Sequence, residues 1–537
     1  MSVISDVLKY SRLAFDLRGF LSSTINVEES EQVITAALRN RERNFLNFVQ
    51  KGIYQNPESP YIKLLQMAGC EFGDMASLVN KEGIEATMRK LLAEGVYLSW
   101  EEFKGKKEVV RGGRHFQFKE AEFDNPFLAR NIENSSGGSR SPGTRIMMNF
   151  DRFAYQAAHT AVAFAAHGIW GRPIIIWMPI LPSGAGLAAT FWLAKTGNLP
   201  VKWFSPVESK TIKPALAKRL ATYYTVYASR LFGAAFPKPE YVSFEQAYKV
   251  ADCLAEVLKK GQGCVLWTFA NSAVRVSQAA LEKKLDLSDV TFIVGGEPLT
   301  AAKAKEIKAT GANAVSVYVV VEVGLIGFGC AGQTVVSDDV HHCKDIHAVI
   351  QRRREIPSGT ASVDAFLFTS LLSKSPKILL NVESGDYGVM ETRHCGCELE
   401  ELGLTDHIYN IRSFDKLTGE GMTFIGTDLL RIIEEVLPAK FGGASADYQM
   451  VEDEDERGHT RLNILASPEV GEIDEGKLVK TILAELSKGK DTQRMMAEMW
   501  SQAEILRVKR QRPFVTAAGK LLPLHIQMAK TDGKKEK

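Results

Sequence analysis

Apolar β-like runs alternate with helical patterns along the middle of this chain, from about residue 145 to about residue 410. The run PIIIWMPI precedes the helical pattern GLAATFWLAKTG, and the later runs CVLWTFA, VTFIVGGE and AVSVYVVVEVG are separated by the helical patterns SQAALEKKL and AAKAKEIKATG. This alternation predicts an α/β fold with a mostly parallel sheet covered by helices. Because ligands bind such sheets at the carboxyl ends of the strands, we expect functional residues directly after the apolar runs.

One part of this pattern, residues 173–194, is uncharged and about as long as a membrane-spanning helix. Pro179, Pro182, Gly184 and Gly186 interrupt the stretch. Proline removes a backbone donor and breaks a helix that contains it. We therefore predict a buried strand, a turn and a helix here, and no transmembrane segment.

Basic and acidic side chains nearly balance, with 66 Lys and Arg against 64 Asp and Glu and a formal net charge of +2. This balance provides no global field that would attract nucleic acid or an anionic membrane. The N-terminal sequence MSVISDVLKYSRLAFDLRGF has the pattern of an amphipathic helix without the apolar core of a signal peptide, which predicts a cytoplasmic protein. The seven cysteines of such a protein are not expected to form a disulfide framework.

At 537 residues the chain is too long for a single hydrophobic core, so on the order of two or three domains are expected. We assign a helical cap region to residues 1–110, a large α/β domain to 111–413 and a small α+β domain to 414–537, which ends in the disordered basic tail KTDGKKEK. In the small domain, DLLRIIEEVL and GKLVKTILAELSKG predict helices and RLNILASPEV predicts a strand. A hinge is expected near Phe414 and Asp415.

The sequence NSSGGSRSPGTR, residues 134–145, combines small hydroxyl residues, glycines and arginines. Hydroxyl groups can donate to phosphate oxygens, glycine lets the backbone approach an anion closely, and arginine adds fixed positive charge. The residues that supply these groups are Ser135, Ser136, Gly137, Gly138, Arg140 and Arg145. The stretch is interpreted as a phosphate-binding loop, with a solvated surface loop as the alternative.

Further motifs follow this loop at long range. They are GGEP (Gly295–Pro298), YVVVEVG (Tyr318–Gly324), SGD (Ser384–Asp386), IRSFD (Ile411–Asp415) and AAGK (Ala517–Lys520). In order and spacing the series resembles the adenylate-forming superfamily, and within it the branch of phenylacetate–coenzyme A ligase and coenzyme F390 synthetase. The resemblance runs from roughly Leu98 to Lys520 and includes EEFKGKKEVVRGG before the loop and FDRF after it.

The resemblance implies an AMP-forming acyl–coenzyme A ligase that uses ATP, Mg²⁺ and coenzyme A. The large domain would bind ATP and the carboxylic acid, and the small domain would swing between two half-reactions. Such an enzyme must stabilise the negative charge that develops at the α-phosphate, which requires positioned cations and donors. The catalytic residues implied are Lys520, Glu322 and Arg412.

Each implied role attaches to a matching motif. Glu322 would hold Mg²⁺, Lys520 would reach the acid carboxylate and the α-phosphate, and Asp386 would accept the ribose hydroxyls with Arg412 alongside. The β- and γ-phosphates would be held by Ser135, Ser136, Gly137 and Gly138, with Arg140 as the loop cation. The adenine slot would be lined by Gly295, Gly296, Glu297 and Tyr318.

The chain departs from the superfamily pattern at several of these positions. Gly and Lys are usual where the loop has Arg140 and Ser141, Gly and Thr where the chain has Val319 and Val321, and an acidic residue where it has Phe414. Two other functions therefore stay open beside the coenzyme A ligase. One is acyl transfer to a protein cysteine or carrier, as in acyl-protein synthetases, and the other is a non-catalytic, nucleotide-binding regulatory role.

A second group of residues has the composition of a metal site. Cys395 and Cys397 form a C-x-C thiolate pair, and with Cys330 and His341 they would complete the tetrahedral shell of a structural Zn²⁺. Part of the phenylacetate–coenzyme A ligase branch is similar at these places. Buried free cysteines are the alternative to a metal site, and the neighbouring residues that could replace a ligand are His342, Cys343 and His394.

The apolar character of residues 174–192 favours a hydrophobic acid and does not distinguish an aromatic from a fatty one. The expected partners are therefore such an acid, ATP and coenzyme A. An acyl-acceptor protein and a second copy of the chain, forming a homodimer, are further alternatives.

Overall fold

The computed structural model describes residues 15–128, 132–135, 145–181, 183–207, 216–355, 362–413, 417–419, 422–424, 431–488, 491–514 and 524–526. Its α-helices, numbered in chain order, are α1 (Val27–Arg39), α2 (Arg41–Val49), α3 (Tyr61–Met67), α4 (Phe72–Glu82), α5 (Ile84–Ala93), α6 (Trp100–Phe103), α7 (Phe150–Ala166), α8 (Ala185–Lys195), α9 (Leu216–Leu231), α10 (Ala247–Leu258), α11 (Ala270–Glu282), α12 (Ala301–Lys308), α13 (Glu398–Glu401), α14 (Leu437–Phe441), α15 (Glu475–Ser487) and α16 (Asp491–Gln502).

The strands are β1 (Val109–Arg111), β2 (Arg114–Phe116), β3 (Ile132–Ser135), β4 (Arg145–Met148), β5 (Ile174–Trp177), β6 (Lys202–Ser205), β7 (Glu240–Tyr241), β8 (Cys264–Phe269), β9 (Val290–Gly295), β10 (Asn313–Val320), β11 (Gly324–Gly329), β12 (Val340–His342), β13 (His347–Glu355), β14 (Ser362–Ser370), β15 (Val382–Thr392), β16 (Asp406–Ser413), β17 (Leu417–Gly419), β18 (Met422–Phe424), β19 (Tyr448–Glu454), β20 (Thr460–Ala466), β21 (Leu506–Arg510) and β22 (Leu524–Ile526).

A 12-stranded sheet dominates the fold, in the order β13-β14-β15-β16-β12-β11-β10-β9-β8-β5-β6-β7. The strands from β5 to β10 run parallel to their neighbours, as the alternation of strands and helices predicts. From β11 to β16 the pairings are antiparallel. The predicted α/β fold is confirmed, whereas the expectation of a mostly parallel sheet is wrong beyond β10, where the chain turns back without a crossover helix.

The uncharged stretch at residues 173–194 is divided between two elements. Strand β5 is buried along its whole length, and α8 follows it. The predicted strand, turn and helix are therefore confirmed. Across the ranges given above, no helix is long and apolar enough to cross a membrane.

The N-terminal helices cover the antiparallel half of the sheet. Phe45, Leu64 and Met88 belong to the same apolar core as Phe366 and Phe368 of β14. Helix α1 begins with a capping box, in which Asn26 and Glu29 each accept the other's backbone N–H at 2.9 and 3.0 Å. The segment that leads from these helices into α6 lies beside β15, where Leu98 forms a β-bridge to Val382.

The C-terminal residues form a four-stranded sheet in the order β21-β20-β19-β22, with α15 and α16 against it. The predicted helix GKLVKTILAELSKG and the predicted strand RLNILASPEV are confirmed as α15 and β20. Apolar side chains of this sheet, including Met450 and Ile464, share one core with Leu266 and Phe292 of the parallel strands. The expected hinge at Phe414 and Asp415 lies outside the described residues.

Candidate functional site

Two of the predicted site residues lie at strand ends, where ligands bind in α/β sheets. Gly295 ends β9, and Glu322 follows the end of β10 closely. A Cβ on Gly295 would lie 2.9 Å from the carbonyl oxygen of Val317, and Gly296 has φ +76°. Both positions therefore require glycine, the first for close packing of neighbouring strands and the second for its left-handed backbone.

Tyr318 and Asp386 form a buried hydrogen-bonded pair between β10 and β15. The Tyr318 hydroxyl donates to Oδ2 of Asp386 at 3.0 Å, and the Ser413 hydroxyl donates to Oδ1 at 2.6 Å. Burial, together with the neighbouring carboxylate, raises the pKa of Tyr318 well above its usual value, so the tyrosine stays protonated. The pair fixes the Asp386 carboxylate, and each carboxylate oxygen can accept more than one hydrogen bond.

Arg412 lies on β16, the strand next to the one that carries Asp386. It pairs in register with Tyr387, whereas Ser413 pairs with Asp386. Adjacent residues of a strand point to opposite faces of the sheet. The Arg412 guanidinium donates to Oδ2 of Asp338 at 2.9 Å.

Glu297 faces helix α11 and residues of the C-terminal sheet. Its Oε2 accepts the backbone N–H of Asn271 at 3.3 Å and lies 3.7 Å from Nζ of Lys303. Lys303 is buried and also donates to the Thr460 hydroxyl at 3.0 Å, with the Glu454 carboxylate at 3.8 Å. The GGEP turn is thereby connected to β19 and β20.

Glu322 is buried and paired with a lysine that sequence analysis did not identify. Nζ of Lys104 lies 2.8 Å from Oε1 of Glu322 and 3.0 Å from Oε1 of Glu120. A carboxylate oxygen is the donor type that Mg²⁺ prefers, so Glu322 fits the implied metal by its chemistry. A metal ion bound to the Glu322 carboxylate would therefore bind a group that already forms an ion pair with Lys104.

The predicted phosphate loop is described only at its edges. Strands β3 and β4 pair antiparallel, with Ser135 opposite Arg145. Outside the described residues lie Ser136, Gly137, Gly138, Arg140 and the predicted catalytic Lys520.

The four predicted zinc ligands come together in one buried cluster. The Sγ atoms of Cys330, Cys395 and Cys397 and a ring nitrogen of His341 all lie within 4.8 Å of one another. Cys395 and Cys397 are 3.5 Å apart at Sγ, close to the distance of about 3.8 Å between two thiolates on one tetrahedral zinc. The geometry therefore suits a four-coordinate metal without an open position.

Local structure orients each ligand toward this cluster. Nδ1 of His341 donates to the carbonyl oxygen of Leu404 at 2.6 Å, which leaves Nε2 facing Sγ of Cys397 at 3.2 Å. Gly396 between the two cysteines has φ +73°, and Glu400 accepts the backbone N–H groups of Cys395 and Gly396 at 2.7 and 2.8 Å. A hydrogen bond from Cys330 holds the pKa of the Cys397 thiol well below its usual value.

The alternative ligands lie elsewhere. His394 is exposed and hydrogen-bonded to Glu400, and Cys343 lies beside His159. His342 is buried and is not one of the four clustered residues, and burial lowers its pKa to about 4. The structure also adds His407, whose ring centroid is 4.1 Å from that of His341 and whose Nδ1 lies 2.8 Å from Asp339. No motif in the sequence indicated this supporting residue.

Comparison with known proteins gives a similarity of fold. No protein-family model and no curated protein matches the sequence. A structure of 2-hydroxyisobutyryl-CoA ligase in complex with 2-HIB-AMP and CoA matches with a TM-score of 0.53 and 12% identity, over 94% of this chain and 91% of that one. The chain therefore has the α/β fold of a CoA ligase that is observed with an acyl adenylate.

Two other solved structures match with TM-scores below 0.5. A malonyl-CoA ligase bound to methylmalonyl-CoA and AMP has a TM-score of 0.41 and 12% identity, over 72% of each chain. An amide bond synthetase from Marinactinospora thermotolerans has a TM-score of 0.39 and 11% identity, over 92% of this chain and 98% of that one.

Proposed function

We propose that this chain is an AMP-forming carboxylate–coenzyme A ligase of the phenylacetate–coenzyme A ligase branch, acting on an aromatic or fatty acid. The observation that carries the proposal is the buried Tyr318–Asp386 hydrogen bond, which joins two predicted motifs 68 residues apart. Glu322 lies two residues after the end of the strand that carries Tyr318, and it is also buried. Together with the fold, this grouping supports a nucleotide site at the end of β10.

In the first half-reaction, an oxygen of the acid carboxylate attacks the α-phosphorus of ATP, and pyrophosphate leaves. Asp386 would accept ribose hydroxyls, and the backbone at Gly295 and Gly296, which has no side chain in the way, would approach the adenine. Bound Mg²⁺ would neutralise phosphate charge, with Glu322 as the residue that holds it. Lys520 and the residues 135–140 are proposed to contact the reacting carboxylate and the phosphates.

In the second half-reaction, the sulfur of coenzyme A attacks the carbonyl carbon of the acyl adenylate, and AMP leaves with the bonding electron pair. The thiol proton is released to solvent or to a base. Residues 414–537 are proposed to form the small domain that moves between the two steps, and residues 111–413 the domain that binds ATP and acid. The residues 1–110 remain the proposed cap.

We further propose that Cys330, His341, Cys395 and Cys397 bind one structural Zn²⁺. The ligand cluster supports this, because three thiolates and an imidazole fill a tetrahedral shell and leave no position for substrate. Zinc would join the end of β11 and β12 to the segment before α13.

Acid-dependent exchange of labelled pyrophosphate into ATP tests the ligase proposal. We expect exchange with at least one acid of an aromatic and fatty acid panel, and its strong reduction in Glu322→Gln. Exchange without thioester formation, followed by transfer to a protein thiol, would instead support the acyl-protein synthetase alternative. Absence of exchange with every acid, despite measurable ATP binding, would support the regulatory alternative.

A further inference from the structure

Lys104 is a buried cation on the carboxylate that is proposed to face Mg²⁺. Only 3% of its side chain is exposed, and Nζ lies 2.8 Å from Oε1 of Glu322. The ammonium also lies 4.4 Å from the ring centroid of Trp100 and 5.5 Å from that of Phe103. Such aromatic faces attract a cation, so they hold the charged group in the interior.

The backbone around Lys104 fixes the position of its ammonium. Leu98 donates to the carbonyl oxygen of Asn381 at 3.1 Å and accepts from the N–H of Glu383 at 3.0 Å, which attaches this segment to the start of β15. Lys104 then directly follows the short helix α6. The lysine is therefore positioned by the cap and by β15, independently of any nucleotide.

Glu322 belongs to a chain of alternating charges. Lys377 lies 2.6 Å from Asp124 and 3.6 Å from Glu120, and Glu120 lies 3.0 Å from Lys104. The far end of this chain can be broken at Lys377 without removing the cation beside Glu322. That arrangement provides a matched control for a substitution of Lys104.

We propose that Lys104 is the resident counter-ion of Glu322 and prevents free Mg²⁺ from binding this carboxylate when no nucleotide is present. A metal bound to Oε1 would lie about 2.1 Å from an oxygen that the ammonium already contacts, and two cations at such short range repel strongly. The phosphates of ATP add negative charge, which offsets this repulsion. Lys104 is thus a positioning residue that makes metal binding depend on ATP. This inference rests on the proposed function of Glu322.

Mn²⁺ binding, followed by electron paramagnetic resonance in zinc-loaded protein without ATP or acid, tests this role. We expect the wild-type protein and Glu322→Gln to bind equal amounts of Mn²⁺, because Glu322 binds no Mn²⁺ in the wild type. In Lys104→Met, two carboxylates lose their shared cation, so we expect about one Mn²⁺ per chain, at least about ten-fold tighter than in wild type. Adding Glu322→Gln to this variant should abolish the gain. Lys377→Met should bind no more Mn²⁺ than wild type.

Wild-type protein that binds Mn²⁺ through Glu322 without nucleotide would overturn the inference, and so would a folded Lys104→Met that binds no more than wild type. If Lys104→Met does not fold, Lys104→Gln removes the charge and keeps a donor to Glu322, and the same outcomes apply to it. The measurement involves no turnover. A failure of pyrophosphate exchange would therefore count against the ligase proposal and leave the Mn²⁺ result unchanged.

Discussion

Several buried charged side chains among the described residues lie at short range from an opposite charge. His159 and Asp345 illustrate this, because their side chains are 2% and 0% exposed and Nε2 of the histidine lies 2.9 Å from Oδ2 of the aspartate. Tyr155 donates to the same oxygen at 2.7 Å. Burial opposes the charge on His159, but Asp345 outweighs it and raises the histidine pKa well above 6.5, while the pKa of Asp345 is lowered.

The His159–Asp345 pair should make stability depend on pH in a defined window. The raised histidine pKa adds stability that is complete below about pH 6.5 and is lost as pH rises toward the folded-state pKa, whereas the lowered aspartate pKa adds stability that is lost in acid. We expect His159→Gln to lower the free energy of unfolding by about 3 kcal/mol at pH 5.5, and by less at pH 8.5. Urea denaturation at the two pH values measures this.

A matched control is His115, which is exposed and pairs with Glu108 at 2.9 Å. His115→Gln should change the unfolding free energy little at either pH, because exposed pairs contribute about 0–1 kcal/mol. A cost for His159→Gln that is the same at both pH values would show that packing, and not the ion pair, sets its effect.

The sequence predicted which residues lie near the candidate site better than it predicted which side chains they contact. The motifs indicated Tyr318, Glu322 and Asp386, and the structure places them on β10, its end and β15. Lys104 was not identified, because a lysine in EEFKGKK has the pattern of a solvated surface residue and its partner is 218 positions away. Such contacts depend on how the cap packs on the sheet, which no local pattern encodes.

At the scale of elements, the ligand cluster joins segments that lie far apart in sequence. Cys330 follows β11, His341 lies in β12, and Cys395 and Cys397 precede α13. The parallel strands were predictable from the alternation of strand and helix, whereas the direction of β11–β16 was not, because apolar periodicity gives the face of a strand and not its direction. The cysteine spacing was informative because metal chemistry limits the ligand types.

Zinc coordination should appear as stability of these joined elements, because metal binding to thiolates is coupled to folding. Metal analysis of the purified wild-type protein should give about one zinc per chain. We expect Cys395→Ser to lower the zinc content and to reduce the melting temperature by about 5 °C or more.

The control for this prediction is Cys253→Ser, since Cys253 lies on α10, outside the cluster. This variant should keep the zinc. Folded, active wild-type protein that contains no metal and has freely titratable cysteines would contradict the zinc site.

At the scale of the whole molecule, the proposed mobile C-terminal domain should separate the two half-reactions. A lysine carried by that domain would serve adenylation and leave the thiol step to other groups. We expect Lys520→Ala to abolish acyl-adenylate formation, measured by pyrophosphate exchange, while thioester formation from a supplied acyl adenylate persists. Equal loss of both activities would refute the role of Lys520.

Polar contacts at the junction of the parallel sheet and the C-terminal sheet centre on Lys303. Its ammonium contacts Glu297 and the Pro298 carbonyl oxygen on one side, and Thr460 and Glu454 on the other. Asn271 accepts the backbone N–H of Thr460 at 3.2 Å in the same region. These contacts therefore join the GGEP turn to strands β19 and β20.

Replacing the lysine should loosen this junction, because buried groups that lose a hydrogen-bond partner cost about 1–3 kcal/mol each. We expect Lys303→Met to raise the hydrogen-exchange rates of the β19 and β20 amides by about ten-fold or more, with the exchange of β5 and β8 unchanged. Lys305→Met, on the exposed side of α12, is the control and should leave all these rates unaltered. Equal exchange in β19 and β20 for wild type and Lys303→Met would show that apolar packing alone holds the C-terminal sheet in place.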